Sequence, residues 1–248
     1  TDLFNMEFYE SHLQEIIAAR ALFADEESRR VYDGIIQYKL TGRMDILRAT
    51  ESAPADAYRN ILHADKFLTA ADLGAYNGDS IRDLRQYAPR LRDVIAFEPD
   101  RRNFRKLTEY ATALREAGDP LTVHPVQAGA WSHTATLTFH GSGNRNAGVD
   151  ADGTARRTVE VEAVAPDDIV SSSERVDYIK YDVEGSEKQA IEGSARLIRE
   201  QKPDLLISLY HRTEDLHELI LQIKALCPEY RLYVRRYPYI PAWDLNLY

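Results

Sequence analysis

The 248-residue chain has a single cysteine, Cys227, which excludes an intramolecular disulfide and leaves nothing from which to build a cysteine-rich zinc or iron–sulfur site. A reducing, cytoplasmic setting is the expectation that follows. Apolar residues never run unbroken for the length of a membrane helix, and the start TDLFNMEFYESHLQE lacks the basic and apolar regions of a secretion signal, so no membrane span is expected. The first residue is threonine rather than methionine, as a partial chain would show. Positive charge is also in deficit: 31 Lys and Arg face 40 Asp and Glu, for a formal charge of −9. Such a surface repels nucleic-acid phosphates, so no nucleic-acid partner is expected despite the basic run RRNFRK at 101–106. What is present, 44% hydrophobic and 29% charged residues, excludes a disordered or collagen-like chain.

Residues 1–65 read as helical. In ESHLQEIIAARALFA, Leu13, Ile16, Ile17, Ala21 and Ala24 draw one expected inward stripe, and EESRRVYDGIIQYKL predicts a second helix with Val31, Ile35, Ile36 and Leu40 inward. This stretch is expected to form a cap over a sheet edge or an oligomerisation region, the latter implying a homo-oligomer. From residue 66 to 248 the rhythm becomes strand and helix in alternation. KFLTAADL, DVIAFEP, LTVHPVQAGAW, RVDYIKYDVEG and PDLLISLYH are short apolar strands without strict alternation, as in a parallel sheet covered by helices on both faces. A β and loop insertion at 134–164 carries a polar, glycine-rich segment, SGNRNAGVDADGT, that suits a substrate-facing lid, and the tail predicts two closing strands around a Pro238 to Pro241 turn. The expected class is α/β: a doubly wound, mostly parallel sheet of six or seven strands with an N-terminal helical extension.

In such sheets ligands bind beyond the carboxyl ends of the strands. The turn ADLGAYNGDS at 71–80 follows the first strand, with Gly74 and Gly78 permitting close backbone approach. It is neither GxGxxG, since position 76 is Tyr, nor a Walker A loop. Glu98 ends the next strand, where a carboxylate accepts both hydroxyls of a ribose, so the pattern favours an adenosyl ligand without a pyrophosphate. In VDYIKYDVEGSEKQAIEG, Asp182 ends a strand and Glu184 lies in the turn after it; two such close carboxylates repel one another unless a ligand, lysine or metal offsets the charge. Glu187, in the first turn of the next helix, suits the helix dipole.

The run DYIKYDVEGSEKQAIEG resembles the signature of the FkbM-like family of S-adenosylmethionine-dependent methyltransferases, and ADLGAYNGDS followed by AFEPD resembles that family's first two cofactor motifs. The resemblance extends from about residue 68 to 248 and implies a Rossmann-like class I methyltransferase fold with a seven-stranded sheet. It implies that Asp72, Gly74, Ala75 and Gly78 wrap the methionine portion of the cofactor, that Glu98 holds the ribose, that Gln127 and Ala128 lie beside the adenine, and that Asp182 faces the methyl-transfer centre. Tyr76, in the same cofactor turn, departs from the small or aliphatic residue of many members; its bulk either narrows the methionine pocket or turns outward. The resemblance also implies O-methylation of a small-molecule or sugar hydroxyl.

Transfer of a methyl group to a hydroxyl needs alignment and a proton acceptor. His211, at the end of LLISLYH, is the preferred general base beside Asp182. A second arrangement has Asp182, Glu184 and His211 converge on a divalent metal ion. Glu184, Tyr210 and Arg212 are candidate acceptor-binding residues, with Tyr233, Tyr237, Tyr239 and Trp243 as further aromatic candidates. Two other classes compete on the same fold: an NAD-dependent oxidoreductase and a non-catalytic nucleoside-binding interaction protein.

Overall fold

A computed structural model describes residues 3–140, 158–239 and 244–248. The glycine-rich segment expected to act as a lid, together with Pro241 and Trp243, lies outside the described residues.

Five helices come first: α1 (Met6–Ser11), α2 (Leu13–Ala21), α3 (Glu26–Thr41), α4 (Met44–Ala49) and the short α5 (Pro54–Asp56). The expected inward stripe of the first helix is corrected: α2 begins at Leu13, after the break at His12, and ends at Ala21, short of Ala24. Ile16 and Ala19 face the core, whereas Leu13 and Ile17 are about half exposed and Ala21 points to solvent. The second helix forms as expected: Asp25 caps α3 by accepting from Ser28 N, Gly42 ends it, and Val31, Tyr32, Ile35 and Tyr38 are buried.

The sheet follows with β1 (Thr69–Leu73), α6 (Asp79–Arg85), β2 (Asp93–Phe97), α7 (Arg101–Glu116) and β3 (Thr122–Val126). The predicted third strand continues past β3 but switches sheets. Its end, β4 (Gly129–Ala130), joins β5 (Ala135–His140) and β6 (Thr158–Val164) in a separate three-stranded sheet ordered β4-β6-β5. After α8 (Pro166–Ile169) come β7 (Tyr178–Tyr181), α9 (Glu187–Glu192), α10 (Ala195–Gln201), β8 (Asp204–Ser208), α11 (Asp215–Leu226), β9 (Val234–Arg236) and β10 (Leu245–Leu247). The helix expected after β7 is thus two helices, divided at Gly193 and Ser194.

The main sheet has seven strands in the order β3-β2-β1-β7-β8-β10-β9. β1 pairs in parallel with both β2 and β7, β7 pairs in parallel with β8, and β10 runs antiparallel to β8 and β9. This is the expected mostly parallel sheet. Pro125, which has no N–H to donate, sits on β3 at the sheet edge. Strand order reverses between β1 and β7, so the crevice for a ligand opens where Leu73 and Tyr181 end their strands.

The N-terminal helices share one hydrophobic cluster with the sheet: Tyr9, Ile16, Tyr32 and Leu47 pack with Ile179, Ile207, Leu216 and Val234. Polar bonds fix them to edge strand β9. Val234 N donates to Ser28 Oγ, Arg235 pairs with Asp25 and Asp56, and the buried Arg236 donates to Thr50 Oγ1, the Leu47 carbonyl and Glu51. An edge strand covered in this way is closed to pairing with another chain.

Candidate active site

The turn after β1 is built on backbone geometry that only glycine takes without strain. Gly74 has φ +90°, and the N–H groups of Gly74 and Ala75 both donate to the Phe97 carbonyl, at 3.1 and 2.9 Å. A Cβ on Gly74 would lie 2.0 Å from the Asp182 carbonyl oxygen, so the turn presses directly on the end of β7. Beneath it, Asp72 is buried. Its Oδ2 accepts from the Ser80 hydroxyl, and its Oδ1, which has no hydrogen-bond partner, lies 3.6 Å from Lys180 Nζ.

Lys180 also donates to Asp182 Oδ2 at 3.1 Å, so one ammonium stands between two carboxylates. Burial pushes Asp72 upward, with Lys180 opposing. Burial works against the Lys180 ammonium, yet Asp182 and Asp72 outweigh it and raise its pKa. Asp182 is penalised by burial too, but Lys180, His211 and the Tyr210 hydroxyl bring its pKa down to about 2. Lys180 therefore offsets Asp182, one member of the acidic pair expected from sequence, whereas Glu184 lies beside His211.

Glu98 stands at the end of β2, 6% exposed. Oε2 accepts from Tyr76 N at 2.9 Å and Oε1 from Asp100 N at 2.8 Å, which holds the carboxylate rigid while leaving a second lone pair on each oxygen. Burial dominates over those bonds and raises its pKa to about 7. Tyr76 takes a left-handed backbone with φ +49°, and its ring lies on the side of α7, 5.9 Å from Lys106 Nζ. Past β3, Gln127 is exposed and Ala128 buried.

On the other side of the crevice, Asp182 N donates to the Leu73 carbonyl, and Tyr210 OH donates to Asp182 Oδ1 at 2.8 Å. The next residue, His211, is ringed by acids. Nε2 lies 3.6 Å from both Asp182 Oδ1 and Glu184 Oε2, and Nδ1 lies 2.8 Å from Glu187 Oε1. Burial disfavours the imidazolium, but Glu187, Asp182 and Glu184 prevail and hold its pKa above the ordinary histidine value. Arg212 N donates to Asp215 Oδ2, and the Arg212 side chain lies across Gly185.

Asp182, Glu187 and His211 each place one ligand atom within 4.8 Å of the others, a grouping able to receive a metal ion. In the set expected from sequence, Glu184 stands at the rim with its side chain 65% exposed, and Glu187 completes the tighter group. Among the aromatic candidates, Tyr237 bonds to Tyr248 inside a hydrophobic cluster that also holds Phe67 and Tyr178, and Tyr239 is half exposed. Sequence reasoning missed Lys180, although its place two residues before Asp182 on one strand puts both side chains on the same face. It also missed Ser80 and the inward turn of Glu187.

The cofactor suggested by the sequence motifs fits these residues in two respects. The glycine turn after β1 stands at the reversal of strand order, with its Gly74 seated on the Asp182 carbonyl, and a buried carboxylate with unused lone pairs stands at the next strand end, as ribose hydroxyls require.

The model of the methyltransferase FkbM domain matches residues 72–239. No curated protein matches the chain. Among solved structures, the fold is similar to methyltransferase FkbM from Methylobacillus flagellatus KT, with a TM-score of 0.80 and 24% identity over 98% of this chain. The present chain spans 60% of that protein's length. A putative rRNA methylase from Clostridium thermocellum is more distant, at TM-score 0.46 and 13% identity over 79% of this chain and 93% of that one.

Proposed function

Because the chain belongs to the methyltransferase FkbM domain family, we propose that it transfers a methyl group from S-adenosylmethionine to a hydroxyl oxygen of a small molecule or sugar. The observation that carries this reading is the interlock of the two strand ends. The glycine turn after β1 and the carboxylate after β7 are one structure, joined by the Asp182 to Leu73 hydrogen bond and the close seat of Gly74 on the Asp182 carbonyl.

When bound, S-adenosylmethionine supplies a methyl group on a positively charged sulfur, which an oxygen nucleophile takes while the bonding pair stays on sulfur. The protein's part is placement and proton transfer. Asp72, Gly74, Ala75, Tyr76 and Gly78 form the turn for the methionine portion, Glu98 accepts the ribose hydroxyls, and Gln127 and Ala128 border the adenine. Asp182, kept ionised by Lys180, faces the positively charged centre. His211 receives the acceptor's hydroxyl proton at Nε2, the nitrogen turned toward Asp182 and the more exposed Glu184. Glu184, Tyr210 and Arg212 border the acceptor's approach.

A metal-assisted route is the second reading, favoured by the three ligand atoms within 4.8 Å. It ranks lower because both Asp182 oxygens already accept hydrogen bonds, from Tyr210 and Lys180. Exhaustive chelation is expected to leave methyl transfer intact.

Calorimetry with S-adenosylmethionine, S-adenosylhomocysteine and NAD tests the cofactor, and a radiolabelled-methyl screen over sugars and small alcohols tests the acceptor. Binding of NAD with no binding of either adenosyl ligand overturns the proposal in favour of an oxidoreductase. Tight adenosyl binding with no label transferred to any hydroxyl favours an interaction protein.

A further inference from the structure

We propose that Glu187 is a positioning residue for His211, holding Nδ1 as the protonated nitrogen and so leaving Nε2 to accept the acceptor's proton. The proposal rests on the methyltransferase reading and adds to it a residue that acts through the base.

A glutamate in the first turn of a helix needs no burial to complement the dipole, where an exposed acid contributes about 0.3–1 kcal/mol. Glu187 is instead fully buried. Burying a carboxylate is costly unless hydrogen bonds or an opposite charge offset the loss of water. Two backbone donors meet part of that demand: Val183 N and Gly185 N donate to Oε1 at 2.9 and 3.4 Å. Oε2 has no hydrogen-bond partner. The remaining group at hand is the His211 ring, with Nδ1 2.8 Å from Oε1.

The two nitrogens of that ring face different surroundings. Nδ1 faces a carboxylate with no exposure, and Nε2 faces Asp182 and Glu184, which are 28% and 65% exposed. A substrate hydroxyl reaches only the second side. The ring is further held by the Tyr210 ring, with centroids 4.2 Å apart. The Nδ1 to Oε1 contact is short without being aligned as a hydrogen bond. Catalytic hydrogen bonds are often misaligned before ligands bind and straighten in the complex, and a small turn of the imidazole suffices here. An anion at Nδ1 selects the tautomer with the proton on that nitrogen, which leaves a lone pair on Nε2.

The test is nitrogen NMR of the full chain labelled at its seven histidines, saturated with S-adenosylhomocysteine and recorded at alkaline pH where the ring is neutral. A His211→Asn variant assigns the resonances. The expected result is a His211 ring protonated at Nδ1. In Glu187→Gln, whose amide oxygen still accepts from Val183 N, the preference should shift toward the Nε2–H tautomer, and Glu187→Asp should restore it in part. A wild-type ring protonated at Nε2 overturns the proposal, as does a tautomer unchanged in Glu187→Gln. So does selective broadening of the His211 signals by stoichiometric Mn2+, which would make the group a cation site. If Glu187→Gln does not fold, the wild-type tautomer and the Mn2+ titration decide. Calorimetry of S-adenosylhomocysteine separates the two readings: failure to bind sinks the methyltransferase assignment whatever the tautomer.

Discussion

The carbonyl oxygen of Asp182 occupies the space where a side chain on Gly74 would begin, 2.0 Å from the position of its Cβ. The end of β7 and the turn after β1 therefore cannot move independently. Gly74→Ala adds both that clash and the strain of φ +90° for an L-residue. We expect a loss of about 3 kcal/mol or more in denaturant unfolding, together with loss of S-adenosylmethionine binding by calorimetry. A variant as stable as the parent with normal binding would show that the two strand ends separate readily.

Glu98 should make cofactor binding depend on pH. Burial raises its pKa from 4.5 to about 7, so between those values the folded protein holds a proton that the unfolded chain does not. The contribution of this group to stability is therefore largest at low pH and declines as pH rises through about 7. Ribose hydroxyls donate to the ionised form, so S-adenosylmethionine affinity should rise with pH, up to about tenfold per unit below the midpoint, with proton release. Glu98→Gln should bind weakly and flatten that dependence. Calorimetry in buffers of different ionisation enthalpy reads both effects.

His211→Ala should lower kcat by about 10²–10⁴-fold, the usual contribution of a general base, while changing S-adenosylmethionine affinity little. Single-turnover methyl transfer to the acceptor identified by the radiolabel screen is the measurement. Near-normal turnover would remove His211 from the chemistry.

Arg236 is buried to 1% exposure and donates to Thr50 Oγ1, to the carbonyls of Leu47, Tyr237 and Tyr239, and to Glu51. Arg236→Met removes the donor shared by five acceptors at once, leaving the Leu47 carbonyl only its bonds from Thr50 and the Tyr237 carbonyl only its bond from Tyr239 N. The expected cost is about 2–4 kcal/mol in urea unfolding, with protease sensitivity appearing first in the N-terminal helices. A change below about 0.5 kcal/mol would mean that apolar packing alone seats those helices on β9.

Much of the sheet was legible because short apolar runs alternating with helical spacing have one economical solution. Glu98 and Asp182 could be placed just past strand ends for the same reason, whereas His211, expected to end its strand, lies beyond Ser208, where β8 stops. The stripe drawn through Leu13, Ile17 and Ala21 misled, since apolar spacing does not reveal which side of α2 meets the core: Ile16 and Ala19 are buried while Leu13 and Ile17 stay about half exposed. The switch of Gly129 and Ala130 into a second sheet was equally hidden, because it depends on pairing with β6 far along the chain.

The sequence by itself determined the alternation of strands and helices, the glycine turn and the carboxylates and histidine available at strand ends, since all of these follow from local periodicity and residue chemistry. Only the tertiary structure decided their company. The pairing of Asp72 with Lys180 across β1 and β7 sets one ammonium between two acids, and the packing of α9 against β7 and α11 turns Glu187 inward against His211. The Asp72–Lys180 and Glu187–His211 contacts join residues distant in the chain, so strand register and burial select them, and no local pattern encodes either.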